Sequence, residues 1–372
     1  MNNKVVYKDV IAFHPGYYIQ DLMDEWDITQ HEFAVRLGTT DKTMSKLLHG
    51  EIPLSNTLAK SLSFMTGTGV AVWLNLQKKF EEKCCIIDQE KELDAEISLL
   101  KDIDYSYFSK LGVVPETKNK KEQVRSLQSF FKISSLEILR QVDFLVACRT
   151  AVHDVEIKHV MNANAWIQTG INMAQKIECK PFDKAKLKSD IPRLRAMTKE
   201  TGEAFLIPLK QLLASCGIAL VFLPYLKNSG LNGAVKWIQK DKVLLLVNDR
   251  GKDAGQFWFS LFHELGHIVQ EKRKQVYLTA SKQNEMTFLS LGRNNANDEA
   301  AADAFANESL IPAKKYKIFS IQTPWTEKKI QSFAEEIGIS TEIVLGRLQH
   351  DKKIPWNQFS GLRKKCKINM NN

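Results

Sequence analysis

Residues 253–269 read DAGQFWFSLFHELGHIV, and this stretch decides the architecture of the C-terminal half. Asp253 in a cap position and Gln256 three residues later make a capping box ahead of the apolar Phe257-Trp258-Phe259, so a long helix starts here. That helix carries His263-Glu264-Leu265-Gly266-His267. Two histidines four residues apart lie about 40° apart around a helix and about 6 Å apart along it, so both imidazoles can reach one ion. Glu264, beside the first histidine, can point at a metal-bound water and take its proton as a general base.

A catalytic zinc needs a third protein ligand and an open position. Asp298-Glu299-Ala-Ala-Ala-Asp303-Ala-Phe305-Ala306 reads as a second helix whose alanines allow close packing against the first. Glu299 is the candidate ligand. Asp303, one turn on, shares its face and can accept the free ring N–H of a ligating histidine. Asp298 points about 100° away and Glu308 lies more than two turns further along, so neither competes well. Tyr277, Arg293, Arg347 and His350 are unranked candidates for a group that would steady an oxyanion.

Ahead of this pair, Ile218–Leu223, Gly233–Ile238 and Val243–Val247 read as three strands, the last two joined by the polar Gln239–Lys242 turn. The first eighty residues read instead as short helices: Tyr18, Leu22 and Trp26; then Phe33, Ala34 and Leu37, stopped by Gly38; then Thr40 to Leu48; then Leu54 to Met65; then Val72 to Phe80. Residues 29–50, TQHEFAVRLGTTDKTMSKLLHG, have the helix, glycine turn and helix of a unit whose second helix enters the major groove. Thr40 would cap that helix. Asp41, Lys42, Ser45 and Lys46 would face the groove, Met44, Leu47 and Leu48 would pack inward, and Gln30 would reach a phosphate. No internal repeat or low-complexity tract is visible, so a solenoid is not expected.

Two resemblances add to this reading. HELGH followed by ExxADxFA and Leu310-Ile311-Pro312, with the DAGQFWFSLF lead-in and the later IVLGRLQH at 343–350, resembles the ImmA/IrrE metallopeptidases, a gluzincin-like group. The resemblance implies that His263, His267 and Glu299 bind one Zn2+ per chain, that Glu264 is the base, and that the substrate is a regulatory protein, often a repressor. Ala301 stands where a second Glu is common in that family. The N-terminal stretch, with His14-Pro15-Gly16, Thr29-Gln30, the helix ending in His49-Gly50, Pro53-Leu54-Ser55 and Val72-Trp73-Leu74-Asn75-Leu76-Gln77, is similar to HigA-type antitoxins of the XRE helix-turn-helix class. That resemblance implies dimeric binding to a palindromic operator, with a cognate toxin as a further partner.

The expected fold class is α+β and mostly helical. An all-α helix-turn-helix bundle over residues 1–83 leads through a helical linker, 84–197, to a gluzincin-like α+β domain with a small sheet, 198–350, and a basic tail, 351–372. The class-distinct alternative is a non-enzymatic antitoxin or repressor whose C-terminal domain binds a partner and whose zinc site is structural or vestigial. A structural site has no need of Glu264 and usually closes with four ligands, which favours the enzyme.

With 372 residues, 44% hydrophobic and 26% charged, the chain suits two or three globular domains and neither a disordered nor a fibrous class. Its longest apolar runs are a handful of residues, so no membrane span is expected. The N-terminus lacks a secretory pattern and the six cysteines form no CxxC pair, which fits reduced thiols and a cytoplasmic protein. The net charge of +9 is unevenly spread: residues 1–80 hold eight basic and eight acidic side chains, whereas 117–200 hold sixteen and nine. The segment expected to read DNA is therefore neutral and must depend on a few placed side chains.

Overall fold

A computed structural model describes residues 3–141, 144–145, 156–200, 204–248, 254–273, 275–280 and 296–363. The chain divides into two compact units, Met1–Ser98 and Leu99–Asn372. Among the described residues no helix is long and apolar enough to cross a membrane.

The first unit opens with an antiparallel hairpin, β1 (Lys4–Tyr7) and β2 (Val10–Phe13). Five helices follow: α1 (Pro15–Glu25), α2 (Gln30–Leu37), α3 (Asp41–Leu48), α4 (Asn56–Thr66) and α5 (Val70–Glu96). Ile19, Phe33, Met44, Leu47, Ala59 and Leu62 are fully buried between them. The helix ends are set locally. Thr29, Thr40 and Ser55 accept hydrogen bonds from Glu32, Thr43 and Leu58 N–H as N-caps, and Gly38 ends α2 at φ 70°. Gly16 lets α1 touch α3, because a Cβ there would stand 2.2 Å from the Leu47 carbonyl oxygen.

The all-helical expectation for this unit lacks the hairpin. Its strands are four residues long and carry no clean alternation. They are held by groups far along the chain: Tyr7 Oη donates to Asp94 at 2.6 Å, Lys8 pairs with the same carboxylate, and Lys83 Nζ donates to Ile11 O at 2.8 Å. Helix α5 also runs sixteen residues past the predicted Phe80. No Gly or Pro interrupts Glu81–Glu96.

In the second unit α6 (Tyr105–Lys110) and α7 (Lys120–Phe131) precede α8 (Ile157–Lys176), which is buried along most of the stretch from Val160 to Ala174. Met161, Ala163, Ala165, Trp166 and Ile167 have no exposure. The asparagines of α8 hold the preceding segment through its backbone. Asn162 Nδ2 donates to Asp102 O at 2.7 Å, Asn164 Nδ2 to Leu139 O and Gln141 O at 2.9 Å each, and Asn172 Nδ2 to Phe130 O at 2.6 Å. The span read as a linker is thus packed as part of the C-terminal unit from Leu99 onward. Its apolar residues are spaced too irregularly to announce that they cover a buried helix.

Next come α9 (Lys184–Met197), α10 (Leu206–Ser215), β3 (Ile218–Leu223), β4 (Leu231–Gln239), β5 (Lys242–Asn248), α11 (Ala254–Val269) and β6 (Val276–Ala280). The sheet order is β3-β5-β4-β6, with β3 parallel to β5 and the other pairs antiparallel. Alternation along β5 sends Leu246 to α8, where a Cβ on Gly170 would meet it at 2.7 Å. Val243, Leu245 and Val247 go to the opposite core with Phe257, Leu261 and Leu265 of α11. The three predicted strands are present, each within two residues of its expected ends; β6 is an addition.

The chain ends in α12 (Ala296–Leu310), α13 (Ala313–Phe319), α14 (Glu327–Ile337) and α15 (Thr341–His350). Arg195 of α9 ties two of these together, donating to Leu310 O at 3.3 Å and Ile337 O at 2.7 Å.

The pair α14–α15 shares the glycine-turn geometry of α2–α3. Phe333-Ala334 corresponds to Phe33-Ala34, and Gly338 at φ 78° to Gly38. The N–H after each glycine returns to the alanine carbonyl at 3.0 Å: Thr39 to Ala34 and Ile339 to Ala334. Thr40 and Ser340 hold the N-cap positions, although only Thr40 makes a side-chain cap hydrogen bond. The second helices differ in exposure. Asp41, Lys42 and Lys46 of α3 are exposed, whereas Glu342, Ile343, Val344 and Leu345 of α15 are buried. Of these two pairs, α2–α3 leaves the outer face of its second helix exposed and α14–α15 does not.

Asn164 supplies the test of the α8 clasp. Asn164→Ala leaves the buried Leu139 carbonyl and the partly buried Gln141 carbonyl short of a donor and should lower unfolding free energy by about 1–3 kcal/mol in denaturant titration. A loss within error of zero would contradict the clasp.

Candidate metal centre and DNA-facing helix

Helices α11 and α12 approach closely enough that a Cβ on Gly266 would stand 2.8 Å from Ala302 Cα and 3.0 Å from Ala302 O. A larger residue at either position would push the helices apart. Because they do not part, His267 faces Glu299 and His263 faces both Glu299 and Asp303. The Nε2 atoms of the two histidines are 3.0 Å apart, His263 Nε2 is 3.2 Å from Glu299 Oε2, and His267 Nε2 is 3.3 Å from Glu299 Oε1. Tetrahedral zinc with bonds of about 2.0–2.1 Å separates its donors by about 3.3 Å. The three donors therefore fit one such ion. They form the only His/Cys/Asp/Glu group of this kind among the described residues.

The surroundings fix each ring. His263 Nδ1 lies 2.8 Å from Asp303 Oδ1, and since a carboxylate only accepts, Nδ1 carries the proton and Nε2 is turned to the centre. His267 is held differently. The Tyr277 ring stacks on it at 4.1 Å and 18°, and its Nδ1 is buried with no hydrogen-bond partner among the described residues. Strand β6 places Tyr277 there through its register opposite Val235. Tyr277 Oη donates to Asp298 Oδ2 at 3.2 Å, and burial together with that carboxylate pushes the phenol pKa well up. Asp298 also pairs with Lys272, and its carbonyl accepts from Gln270 Nε2 at 2.8 Å. It anchors the start of α12, so that Glu299 and not Asp298 meets the histidines.

Glu264 is buried, with Oε1 against β4: a Cβ on Gly233 would come within 2.7 Å of it. The lack of a side chain at Gly233 makes room for that carboxylate, a role that a glycine inside a strand pattern can signal. Of the oxyanion candidates, Tyr277 is turned to Asp298. Arg347 Nε donates to Asp351 at 2.9 Å and its guanidinium also contacts Asn307, while His350 Nδ1 lies 3.2 Å from Asp351. Arg293 and the capping residue Asp253 lie outside the described residues.

Charge at the centre is coupled. Burial works against a charged His263, but hydrogen bonds to Asp303 and Glu299 and the charge of Glu264 outweigh it, raising its pKa to about 10. Burial likewise works against a charged Glu299, yet the two histidines hold it down to about 2. The metal-free centre thus keeps a proton on His263 at neutral pH.

On α3, Asp41, Lys42 and Lys46 are exposed and Ser45 is half-buried, while Met44, Leu47 and Leu48 point into the core. Thr40 is bound as the cap. Gln30 Nε2 donates to the Asp41 carbonyl at 3.3 Å, and His31 Nδ1 lies 2.8 Å from Asp41 Oδ2. His31, which the sequence reading passed over, stands on this open face.

A zinc ion held by these donors would have to displace the His263 proton, so its uptake near pH 7 should release about one proton per ion, and affinity should rise about tenfold per pH unit until the pH nears 10. Calorimetry in two buffers of different ionisation enthalpy measures this; no buffer dependence would contradict it. Asp303→Ala should weaken metal binding by about 10–100-fold.

Comparison with known proteins agrees with both halves. The Peptidase M78 family, described as an IrrE N-terminal-like domain, matches residues 213–349. The HTH-type transcriptional regulator YddM of Escherichia coli K12 is 34% identical over 80 residues, 22% of this chain and 81% of that protein. A solved antidote protein of a plasmid maintenance system from Nostoc punctiforme is 30% identical and covers 23% of this chain and 92% of its own, with a TM-score of 0.22. The chain therefore belongs to the HTH-type transcriptional regulators through its N-terminal region and joins that XRE-like unit to an IrrE N-terminal-like domain of the M78 peptidase family.

Proposed function

We propose that this protein is a DNA-binding regulator whose C-terminal domain is a zinc-dependent endopeptidase acting on a regulatory protein. The convergence of His263, His267 and Glu299 within 4.8 Å of one another, with buried Glu264 beside them, carries the reading. His263, His267 and Glu299 would hold the ion. When bound, zinc supplies a Lewis acid that polarises a peptide carbonyl and makes water a nucleophile near neutral pH. Glu264 takes the proton of the attacking water and passes it to the leaving amine. Gly233 keeps room for that carboxylate, Asp303 sets the His263 tautomer, and Tyr277 keeps the His267 ring in place.

DNA binding rests on α3. Its exposed face offers Asp41, Lys42, Ser45 and Lys46, with Gln30 at the start of α2, to a groove and its phosphates. The small number of cations there predicts a shallow salt dependence.

Glu264→Gln should retain one zinc per chain and lose cleavage of a repressor substrate by a factor of about a thousand or more, measured on repressors encoded near the gene. Full activity in that variant would contradict the role. Zinc without cleavage in the wild type would support the non-enzymatic alternative. Lys42→Ala with Lys46→Ala should abolish the shift of the gene's own promoter fragment; an unchanged shift would contradict the assignment of α3.

A further inference from the structure

The pair His31–Asp41 is not explained by folding. Its side chains are 74% and 55% exposed, a setting in which an ion pair contributes little to stability. Asp41 would favour the start of α3 through the helix dipole without any partner. Yet two residues of α2 reach across the turn to it. His31 Nδ1 meets Oδ2 at 2.8 Å, and Gln30 Nε2 donates to the backbone carbonyl at 3.3 Å. The first turn of α3 and its carboxylate are thereby fixed from two sides. Oδ1 has no partner among the described residues.

Resting on the DNA-binding reading above, we infer that Asp41, oriented by His31, determines the operator base at one position by accepting a hydrogen bond from a cytosine amine. A carboxylate accepts and never donates. In the major groove guanine offers two acceptors, N7 and O6, and thymine offers O4 and a methyl, so both repel or ignore it. Adenine pairs its N6 donor with an adjacent N7 acceptor, which opposes the negative charge. Cytosine offers the N4 donor alone. The contact with His31 gives this acceptor a preferred direction. An unrestrained aspartate would be free to turn to solvent and would discriminate poorly. Lys42 and Lys46, on the same exposed face, supply the phosphate contacts that an acidic reader does not.

The test uses the full-length protein. Sites are selected from a randomised duplex library, and affinity is then measured with each of the four bases at every position. The wild type should prefer cytosine at one position by about tenfold over the other bases. Asp41→Asn, which offers acceptor and donor together, should move the preference at that position alone to adenine. Asp41→Ser should flatten it, and His31→Leu should reduce it several-fold, with the rest of the profile unchanged. Circular dichroism melts show that each variant is folded. If Asp41→Asn and Asp41→Ser bind specifically with the wild-type profile at every position, the inference is overturned. If the wild type selects no sequence at all, the DNA-binding reading falls and this inference with it.

Discussion

The contact between Gly266 and Ala302 sets the rest of the candidate centre. Two helices cross with no side chain larger than the Ala302 methyl between them at that point, and everything around it follows from their separation. Close approach lets one carboxylate, Glu299, touch two histidines, and it lets Asp303 reach the far nitrogen of His263 one turn away. Strand β6 then closes the other side, with Tyr277 stacked on His267 and bound to Asp298. A similar economy places Glu264, whose carboxylate lies against the bare backbone of Gly233. Small residues at two positions do what ligand chemistry alone could not.

Much of this was legible in the amino-acid sequence because it is written in local spacing. His263 and His267 four residues apart, Glu299 and Asp303 four apart, and the caps Thr29, Thr40 and Gly38 all act within one or two helical turns. The elements that escaped notice depend on distant partners. The N-terminal hairpin is secured by Asp94 and Lys83, and β6 exists through pairing with β4, whose register alone brings Tyr277 to His267. Residues 99–141 looked like a linker because the asparagines that grip their carbonyls lie on α8, more than twenty residues further along the chain.

The two glycine-centred helix pairs show how one local signal can serve two ends. Both keep the same turn geometry, since Phe-Ala at the end of the first helix and a left-handed glycine solve the same backbone problem. Packing decides what the second helix is for. Around α15 the core of the second unit covers the face that α3 leaves to solvent, and a buried helix cannot enter a groove. Motif alone would count two candidate readers; exposure leaves one candidate.

Together α11 and α12 build a candidate metal centre from three protein donors. Elemental analysis of purified full-length protein after dialysis, for wild type and Glu299→Ala side by side, tests it most directly. One zinc per chain in the wild type and its loss in the variant is the predicted result. No stoichiometric metal in the wild type, or equal metal in both, would contradict it.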